Sequence, residues 1–184
     1  IMDLGNYKQR MQSAVDHLIE ELKKVRTGRA HPSILDGIMV EAYGVPTPLN
    51  QVSNITAPEP QLLQITPFDP SNLQAISTAI RNDQNLGLNP ADDGRVVRVP
   101  MPPLTEERRV QIVKSLSDTI EESKIQLRNI RHDALKDAKA KKDAKELSED
   151  DVKRTEKEVT DLVNDFNKQI EEAHKAKEQE IMTV

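Results

Sequence analysis

The chain has 184 residues, 31% of them charged, with a formal net charge of −5 and no cysteine. This length suits one or two domains with a sizeable core, and the lack of cysteine excludes disulfides, thiol nucleophiles and thiolate metal sites. No apolar run approaches the roughly 18–20 residues that cross a membrane, and the first residues lack the basic and apolar regions of a secretory signal. We therefore expect a cytoplasmic protein.

The prolines divide the chain into three parts. All eleven lie between Pro32 and Pro103. An interior proline removes a backbone donor and clashes with the preceding turn, so it kinks or ends a helix. The flanks are therefore free to form long helices, whereas the middle predicts turns, strands and short pieces. We predict an α+β fold in which a helical domain, residues 1–29 and 105–184, carries an inserted β/α/β domain, residues 30–104.

The first predicted element is a helix from about Asp3 to about Thr27. Its apolar residues recur at helical spacing along one face. Gly28 follows as a natural stop, because glycine readily takes the left-handed conformation that ends helices. The residues of this face are Leu4, Met11, Val15, Leu18, Leu22 and Val25.

The insertion shows strand patterns bounded by proline and glycine. Strands are predicted at 38–43, 62–66 and 95–99. A short helix is predicted to open at Asp69, with its apolar face formed by Leu73, Ile76 and Ile80.

Two long helices are predicted after the insertion. Thr105 is a good N-cap for a helix that runs to about Lys145, and Ser148 is a good N-cap for the next. With the first helix they predict a three-helix bundle. The predicted core stripe of the second helix is Val113, Leu116, Ile120, Leu127, Ile130 and Ala134. That of the third is Val152, Val159, Leu162, Phe166, Ile170, Ala173 and Ile181.

The second helix sorts its charges onto separate faces. At about 100° per residue from Leu127, five basic side chains fall at roughly 40–120° and five acidic ones at roughly 160–280°. The basic ones are Lys124, Arg128, Arg131, Lys139 and Lys142; the acidic ones are Asp118, Glu122, Asp133, Asp137 and Asp143, with Glu121 as an exception.

Two interpretations of this segregation stay open. Such a helix can be a solvated face with i,i+4 ion pairs, but pairing alone would mix the signs. A basic stripe also suits phosphate binding, because the arginine fork grips two phosphate oxygens. No aromatic residue interleaves the stripe, which favours recognition of a folded RNA backbone over stacking on unpaired bases.

Four further arginines flank the insertion. Arg26 and Arg29 lie where the first helix ends, and Arg108 and Arg109 lie in the first turns of the second. They either bridge the two domains or extend an anion-binding surface. Signals for an enzyme are poor: the four histidines lack metal-ligand spacing, and no glycines form a phosphate-cradling loop. We expect a protein that is not an enzyme and holds no metal or cofactor.

Five motifs then resemble the bacterial ribosome recycling factor family. They lie in family order and spacing across essentially the whole chain. They are residues 24–30 (KVRTGRA), 44–49 (GVPTPL), 86–90 (LGLNP), 102–109 (PPLTEERR) and 127–131 (LRNIR).

The resemblance implies an L-shaped molecule of tRNA-like dimensions, with the bundle and the smaller domain joined by a two-stranded hinge. It implies a monomer that binds the large subunit of a post-termination ribosome through ribosomal RNA. With elongation factor G and GTP, such a protein promotes subunit splitting and release from mRNA, while the partner hydrolyses the nucleotide. The alternative is a helical-bundle adaptor that acts through protein contacts without RNA.

The resemblance also assigns the site residues. Arg131 is the expected central contact with ribosomal RNA, supported by Arg128, Arg108, Arg109, Arg26, Arg29, Lys124 and His132. Family members commonly carry a second arginine where this chain has His132, which is mostly neutral near pH 7. The expected hinge residues are Ala30, His31, Pro102, Pro103 and Leu104.

Overall fold

The computed structural model describes residues 2–183, which form two compact units. Within these residues, the first unit comprises residues 2–22 and Gln111–Gln179, and the second comprises Lys23–Val110 and residues 180–183. Residues 30–104, predicted as an insertion, lie within the second unit. The mixture of long helices and small antiparallel sheets confirms the predicted α+β class.

The elements follow one another in a simple order. The helices are α1 Gly5–Lys23, α2 Leu49–Val52, α3 Leu73–Asn82, α4 Glu106–Asp143 and α5 Glu149–Met182. The strands are β1 Met39–Ala42, β2 Val45–Pro48, β3 Ser53–Glu59, β4 Leu62–Pro67, β5 Ala91–Asp92 and β6 Val97–Pro100. Two 3-10 turns, Pro32–Leu35 and Pro70–Asn72, begin with proline.

The first unit is an antiparallel bundle centred on α4. On one side the Tyr7 hydroxyl donates to Asp137 at 2.9 Å, and Arg10 pairs with Asp133 at 2.8 Å. On the other side Lys124 pairs with Glu171 of α5. Apolar side chains from all three helices are buried between these polar contacts. They are Met11, Val15, Leu18, Leu116, Ile120, Leu127, Ile130, Ala134, Ala138, Val159, Val163, Phe166 and Ile170.

The core stripes differ from prediction at a few positions. Val113 was predicted in the core of α4, but it is half-buried and Ile112 is buried instead. Leu162 was predicted in the core of α5, but it is half-buried and Val163 is buried instead. Each pair lies one residue apart on the edge of a helix face, where sequence spacing alone does not decide which side chain turns inward.

Helix α1 ends four residues earlier than predicted. Its last residue is Lys23 rather than about Thr27. The Ser33 hydroxyl donates to the Lys23 carbonyl at 2.8 Å and satisfies one of the free acceptors at the helix end. A side chain ten residues away therefore helps to stop the helix before Gly28.

The predicted caps of the long helices are confirmed. The Arg108 amide donates to the Thr105 hydroxyl at 3.1 Å at the start of α4. At the start of α5, Ser148 and Asp151 exchange side-chain and backbone hydrogen bonds, each 3.1 Å long. This reciprocal pair satisfies two helix-start donors in the manner of a capping box.

Helix α4 ends in a Schellman motif that lacks the usual glycine. The Glu146 amide donates to the Lys141 carbonyl at 2.8 Å, and the Lys145 amide donates to the Lys142 carbonyl at 2.9 Å. Lys145 occupies the left-handed position with φ of 63°. A side chain with a Cβ is strained in this region of backbone space.

The second unit contains a four-stranded antiparallel sheet of order β3-β4-β6-β5 and a separate hairpin, β1-β2. Helix α3 buries Leu73, Ile76 and Ile80 in the core of this unit, as predicted. The three predicted strands are present with bounds shifted by one or two residues. The sequence patterns missed β2, β3, β5 and α2, largely because prolines lie in or beside them.

The β1-β2 hairpin explains how prolines fit into a strand. Its turn is Tyr43-Gly44, with φ of 56° and 77°, as a two-residue type I′ turn requires. Ala42 pairs with Val45 beside this turn, so the hydrogen-bonded pairs alternate from there. Pro46 and Pro48 therefore occupy non-hydrogen-bonded positions, where a missing amide costs the hairpin nothing.

Asp93 organises the turn between β5 and β6. One carboxylate oxygen accepts the Arg95 amide at 2.9 Å and the Val96 amide at 3.0 Å, and the other accepts from the Arg98 guanidinium at 2.6 Å. The hydrogen bonds from the Val96 and Arg95 amides, then that from Arg98, hold the pKa of Asp93 well below its ordinary value.

We predict that Lys145→Gly stabilises the protein by about 0.5–1 kcal/mol, because glycine takes the left-handed conformation without a Cβ penalty. Chemical unfolding followed by circular dichroism measures the change. Lys145→Ala removes the charge and keeps the strain, so it should give no such gain. Ala140→Gly, inside α4, should instead destabilise by about 1 kcal/mol. A neutral or destabilising Lys145→Gly would contradict the strain.

We predict that Asp93→Ala lowers the melting temperature at pH 7 and that its deficit shrinks in acid. A carboxylate whose folded pKa is depressed contributes stability above its unfolded pKa, about 3.9, and loses it as pH falls through the folded pKa. Melting curves of both proteins from pH 7 down to about pH 2 should therefore converge. A deficit that stays constant over this range would show that the carboxylate charge is not involved.

Candidate RNA-binding surfaces

The basic stripe of α4 is present as a helix face in the first unit. We define it as Lys124, Arg128, Arg131, Lys139 and Lys142. Arg128 and Lys139 are exposed, whereas Lys124, Arg131 and Lys142 are half-buried beside the apolar core. The predicted acidic residues Asp133 and Asp137 contact Arg10 and Tyr7 of α1. The acidic side of α4 therefore lies toward α1, away from the stripe.

Arg131 and Lys139 are the available cations of the stripe. Neither has a hydrogen bond or ion pair with any other part of the chain within residues 2–183, whereas Lys124, Arg128 and Lys142 each pair with a glutamate. Arg128 pairs with Glu121 at 2.6 Å, and Lys124 pairs with Glu171. Arg131 can therefore accept an external anion without first breaking a protein contact.

The partners of the other cations were only partly foreseen. Glu121 falls outside the acidic face, and it is the partner of Arg128. Glu171 lies on α5 and gave no local signal, since only the packing of α5 on α4 brings it to Lys124. His132 is exposed and follows Arg131 on α4, where it adds a ring nitrogen rather than a permanent charge.

A second group of arginines lies in the second unit. One Arg26 amino group donates to the Pro102 carbonyl, while its Nε is buried and has no acceptor among the described residues. Burial, and then the nearby positive charge of Arg108, lower the pKa of Arg26. Two guanidinium groups so close together favour the approach of an anion.

Arg109 and Arg29 complete this group in different ways. Arg109 is half-buried and its Nε also lacks an acceptor in the described part of the chain, whereas Arg29 is exposed. Buried donors without acceptors are uncommon in folded proteins and call for an external partner such as an ion or water. Arg26 and Arg109 thus each offer one buried donor that the described chain does not accept.

The predicted hinge residues lie on two segments of the second unit. Ala30 and Leu104 are buried, whereas His31, Pro102 and Pro103 reach the surface. The Ala30 amide donates to the Pro60 carbonyl at 2.6 Å, and the His31 ring contacts the Ser33 hydroxyl at 2.7 Å. Pro102 and Pro103 have no amide and so donate no backbone hydrogen bond.

Residues 2–183 give little support for a metal site or a membrane span. No group of three or more histidine or carboxylate side chains there is placed to share a metal ion. Over the same residues, no helix has the length and apolar character of a membrane span.

Together these features define an α+β protein with a long helical bundle and a cationic helix face, a class suited to binding a polyanion. Residues 18–182 match the protein family described as Ribosome recycling factor. The chain belongs to the ribosome recycling factor family.

Curated relatives match over nearly their whole length. The ribosome-recycling factor of Rubrobacter xylanophilus is 44% identical over 184 residues, covering 100% of this chain and 98% of the relative. That of Erythrobacter litoralis is 46% identical over 181 residues, covering 98% of this chain and 97% of the relative.

Solved structures agree with this family. The solution structure of a ribosome recycling factor is 34% identical, with a TM-score of 0.80 and complete coverage of both chains. The T. thermophilus ribosome recycling factor, described with E. coli elongation factor G bound to the E. coli post-termination complex, is 39% identical. It matches with a TM-score of 0.67 over 97% of this chain and 96% of that one.

Proposed function

We propose that this protein recycles ribosomes after termination in the cytoplasm. In this proposal it binds the large subunit through ribosomal RNA and, with elongation factor G and GTP, promotes subunit splitting and release from mRNA. It acts as a monomer and by binding alone, since nucleotide hydrolysis belongs to the elongation factor. The observation that carries the proposal is its full-length similarity to ribosome recycling factors, one of them described on a post-termination complex with elongation factor G.

The charge distribution supports RNA as the ligand. The chain has a net charge of −5, so its overall field repels a polyanion. The stripe on α4 concentrates cations on one helix face, and each phosphate that it neutralises releases counterions. Binding of this kind weakens steeply as salt rises, which separates it from an adaptor that uses apolar protein contacts.

We propose Arg131 of the stripe as the central RNA contact, with Arg128 and Lys124 of the stripe and the neighbouring His132 beside it. Arg26, Arg29, Arg108 and Arg109 are proposed as supporting contacts. Arg131 has no partner among residues 2–183, which supports this order. Arg128 and Lys124 must instead release Glu121 and Glu171 before they can bind phosphate.

We predict that Arg131→Ala weakens binding to purified large subunits by about tenfold and flattens its salt dependence, because one charge-assisted phosphate contact is lost. Co-sedimentation at several salt concentrations measures both effects. Arg154→Ala is the matched control, since it removes the same charge from an exposed position on α5. Circular dichroism should show unchanged helicity in both variants.

Two outcomes would reject this assignment. Full affinity of Arg131→Ala at physiological salt would exclude the stripe as the RNA contact. Binding of the native protein that does not respond to salt would favour the adaptor alternative.

We also propose that Ala30, His31, Pro102, Pro103 and Leu104 form a hinge that reorients the inserted domain, residues 30–104, relative to the helical bundle during splitting. The exposed Pro102-Pro103 pair supports this proposal, because it separates the Met101 amide, which donates to the Gln61 carbonyl at 2.7 Å, from the Thr105 cap of α4. Because proline has no backbone amide, the chain between these two anchors can move without breaking a hydrogen bond donated by Pro102 or Pro103.

We predict that energy transfer between dyes on the two units changes when elongation factor G and GTP join the subunit complex. The chain has no native cysteine, so Asn164→Cys and Asn54→Cys give a specific label on each unit. A dye pair on Asn54→Cys and Gln84→Cys, both in the second unit, should show constant transfer. Constant transfer for the first pair, while splitting proceeds, would contradict the hinge.

A further inference from the structure

The β1-β2 hairpin has two free edges of unequal character. The Leu49 amide donates to the Ile38 carbonyl at 3.0 Å, which continues the hydrogen-bonded phase of the pairs Ala42-Val45 and Val40-Thr47. Residues in the other phase point their backbone groups away from the partner strand. On β2 these residues are Pro46 and Pro48, and proline blocks an edge against further pairing.

The outer edge of β1 has no such protection. Its outward residues are Met39 and Glu41, opposite the two prolines. Neither of their amides donates to another group within the described residues, and β1 pairs only with β2. The side chains of Met39 and Glu41 are also exposed. The outer edge therefore presents a short row of free backbone donors and acceptors.

This edge borders an open groove of ≈ 740 Å³. One wall contains Met39 and Glu41 of β1, and the other is the exposed side of α3 with Gln74, Thr78 and Asn82. The small side chains Ala75 and Ala79 lie between those polar residues and leave room against the helix. The groove thus runs beside the unpaired edge rather than across the hairpin.

The charge of the groove indicates which kind of ligand it can bind. Its lining contains the carboxylates of Glu41 and Asp83 and no lysine or arginine. Residues 30–104 as a whole carry three bases and seven acids. RNA is disfavoured by this charge, and a second copy of the same edge would place Glu41 near its own equivalent. A positively charged extended peptide satisfies both the free backbone groups and the carboxylates.

We propose that the groove between β1 and α3 is a docking site for an extended, lysine- or arginine-containing segment of a partner protein. The segment adds as a third strand to the outer edge of β1 and pairs with the backbone of Met39 and Glu41. Its cationic side chains lie beside Glu41 and Asp83. The residues of this site are separate from the arginine sets, so the site goes beyond the proposed RNA contacts.

The test uses the native protein and three short synthetic peptides with capped ends. The first alternates lysine with valine, the second replaces lysine by glutamate, and the third keeps the lysines but carries N-methyl groups on alternate amides. Nuclear magnetic resonance follows the amide signals of Met39 and Glu41 together with the affinity of each peptide. The N-methylated peptide cannot pair as a strand, because its methylated amides donate no hydrogen bond. Its charge is the same as that of the lysine peptide, and the protein is unchanged.

We expect the lysine peptide to shift the amide signals of Met39 and Glu41 and to slow their hydrogen exchange. The N-methylated peptide should bind at least about tenfold more weakly, because it loses backbone hydrogen bonds. The glutamate peptide should not bind. The double variant Glu41→Gln with Asp83→Asn should weaken the lysine peptide by about fivefold while leaving its signals at Met39 in place.

A second variant closes the edge in the protein itself. Glu41→Pro lies opposite Pro46 at a non-hydrogen-bonded position, so it removes an outward amide and leaves the β1-β2 ladder intact. Glu41→Pro should abolish binding of the lysine peptide. Glu41→Gln, which removes the same charge but keeps the amide, should weaken this binding only modestly.

Three results would overturn the proposal. Equal affinity of the lysine and N-methylated peptides would show charge attraction without strand addition. Amide shifts confined to residues outside the groove would place the peptide elsewhere. Concentration-dependent shifts of Met39 and Glu41 without any peptide would identify a second copy of the chain as the occupant.

Discussion

The apolar seam along α4 is the constraint on which the bundle depends. Because α1 packs against one side of this seam and α5 against the other, the three helices share one core in the first unit. This packing also sorts the charges of α4. Asp133 and Asp137 contact Arg10 and Tyr7 of α1, while the stripe residue Lys124 contacts α5. The cationic face is thus the part of α4 that neither neighbour neutralises completely.

In the second unit, the arrangement of the strands depends on backbone hydrogen bonding. Prolines at non-hydrogen-bonded positions let β2 pair with β1 and at the same time close the outer edge of the hairpin. The missing proline amides prevent a further strand from pairing with β2, whereas the outer edge of β1, which contains no proline, stays open. The same property supports the proposed hinge at Pro102 and Pro103.

Much of this architecture could be predicted because it depends on local pattern. The heptad spacing from Met11 to Leu22, the Thr105 and Ser148 caps, and the α3 face from Leu73 to Ile80 all agree with the structure. The failures lie where distant groups decide. Ser33 helps to end α1 at Lys23, Lys145 takes a position usual for glycine, and β2 forms despite two prolines.

The features of the candidate sites also divide into those that follow from local sequence pattern and those that depend on distant contacts. The sequence by itself determined the helix stripes, the segregation of basic from acidic residues on α4, and membership of the ribosome recycling factor family, since each follows from residue type and spacing. Only the tertiary structure decided that Arg131 has no partner in the described part of the chain, that Glu171 pairs with Lys124, and that the outer edge of β1 opens onto a groove beside α3. These depend on contacts between residues far apart in the chain, and a periodic pattern on one element carries no information about what packs against it.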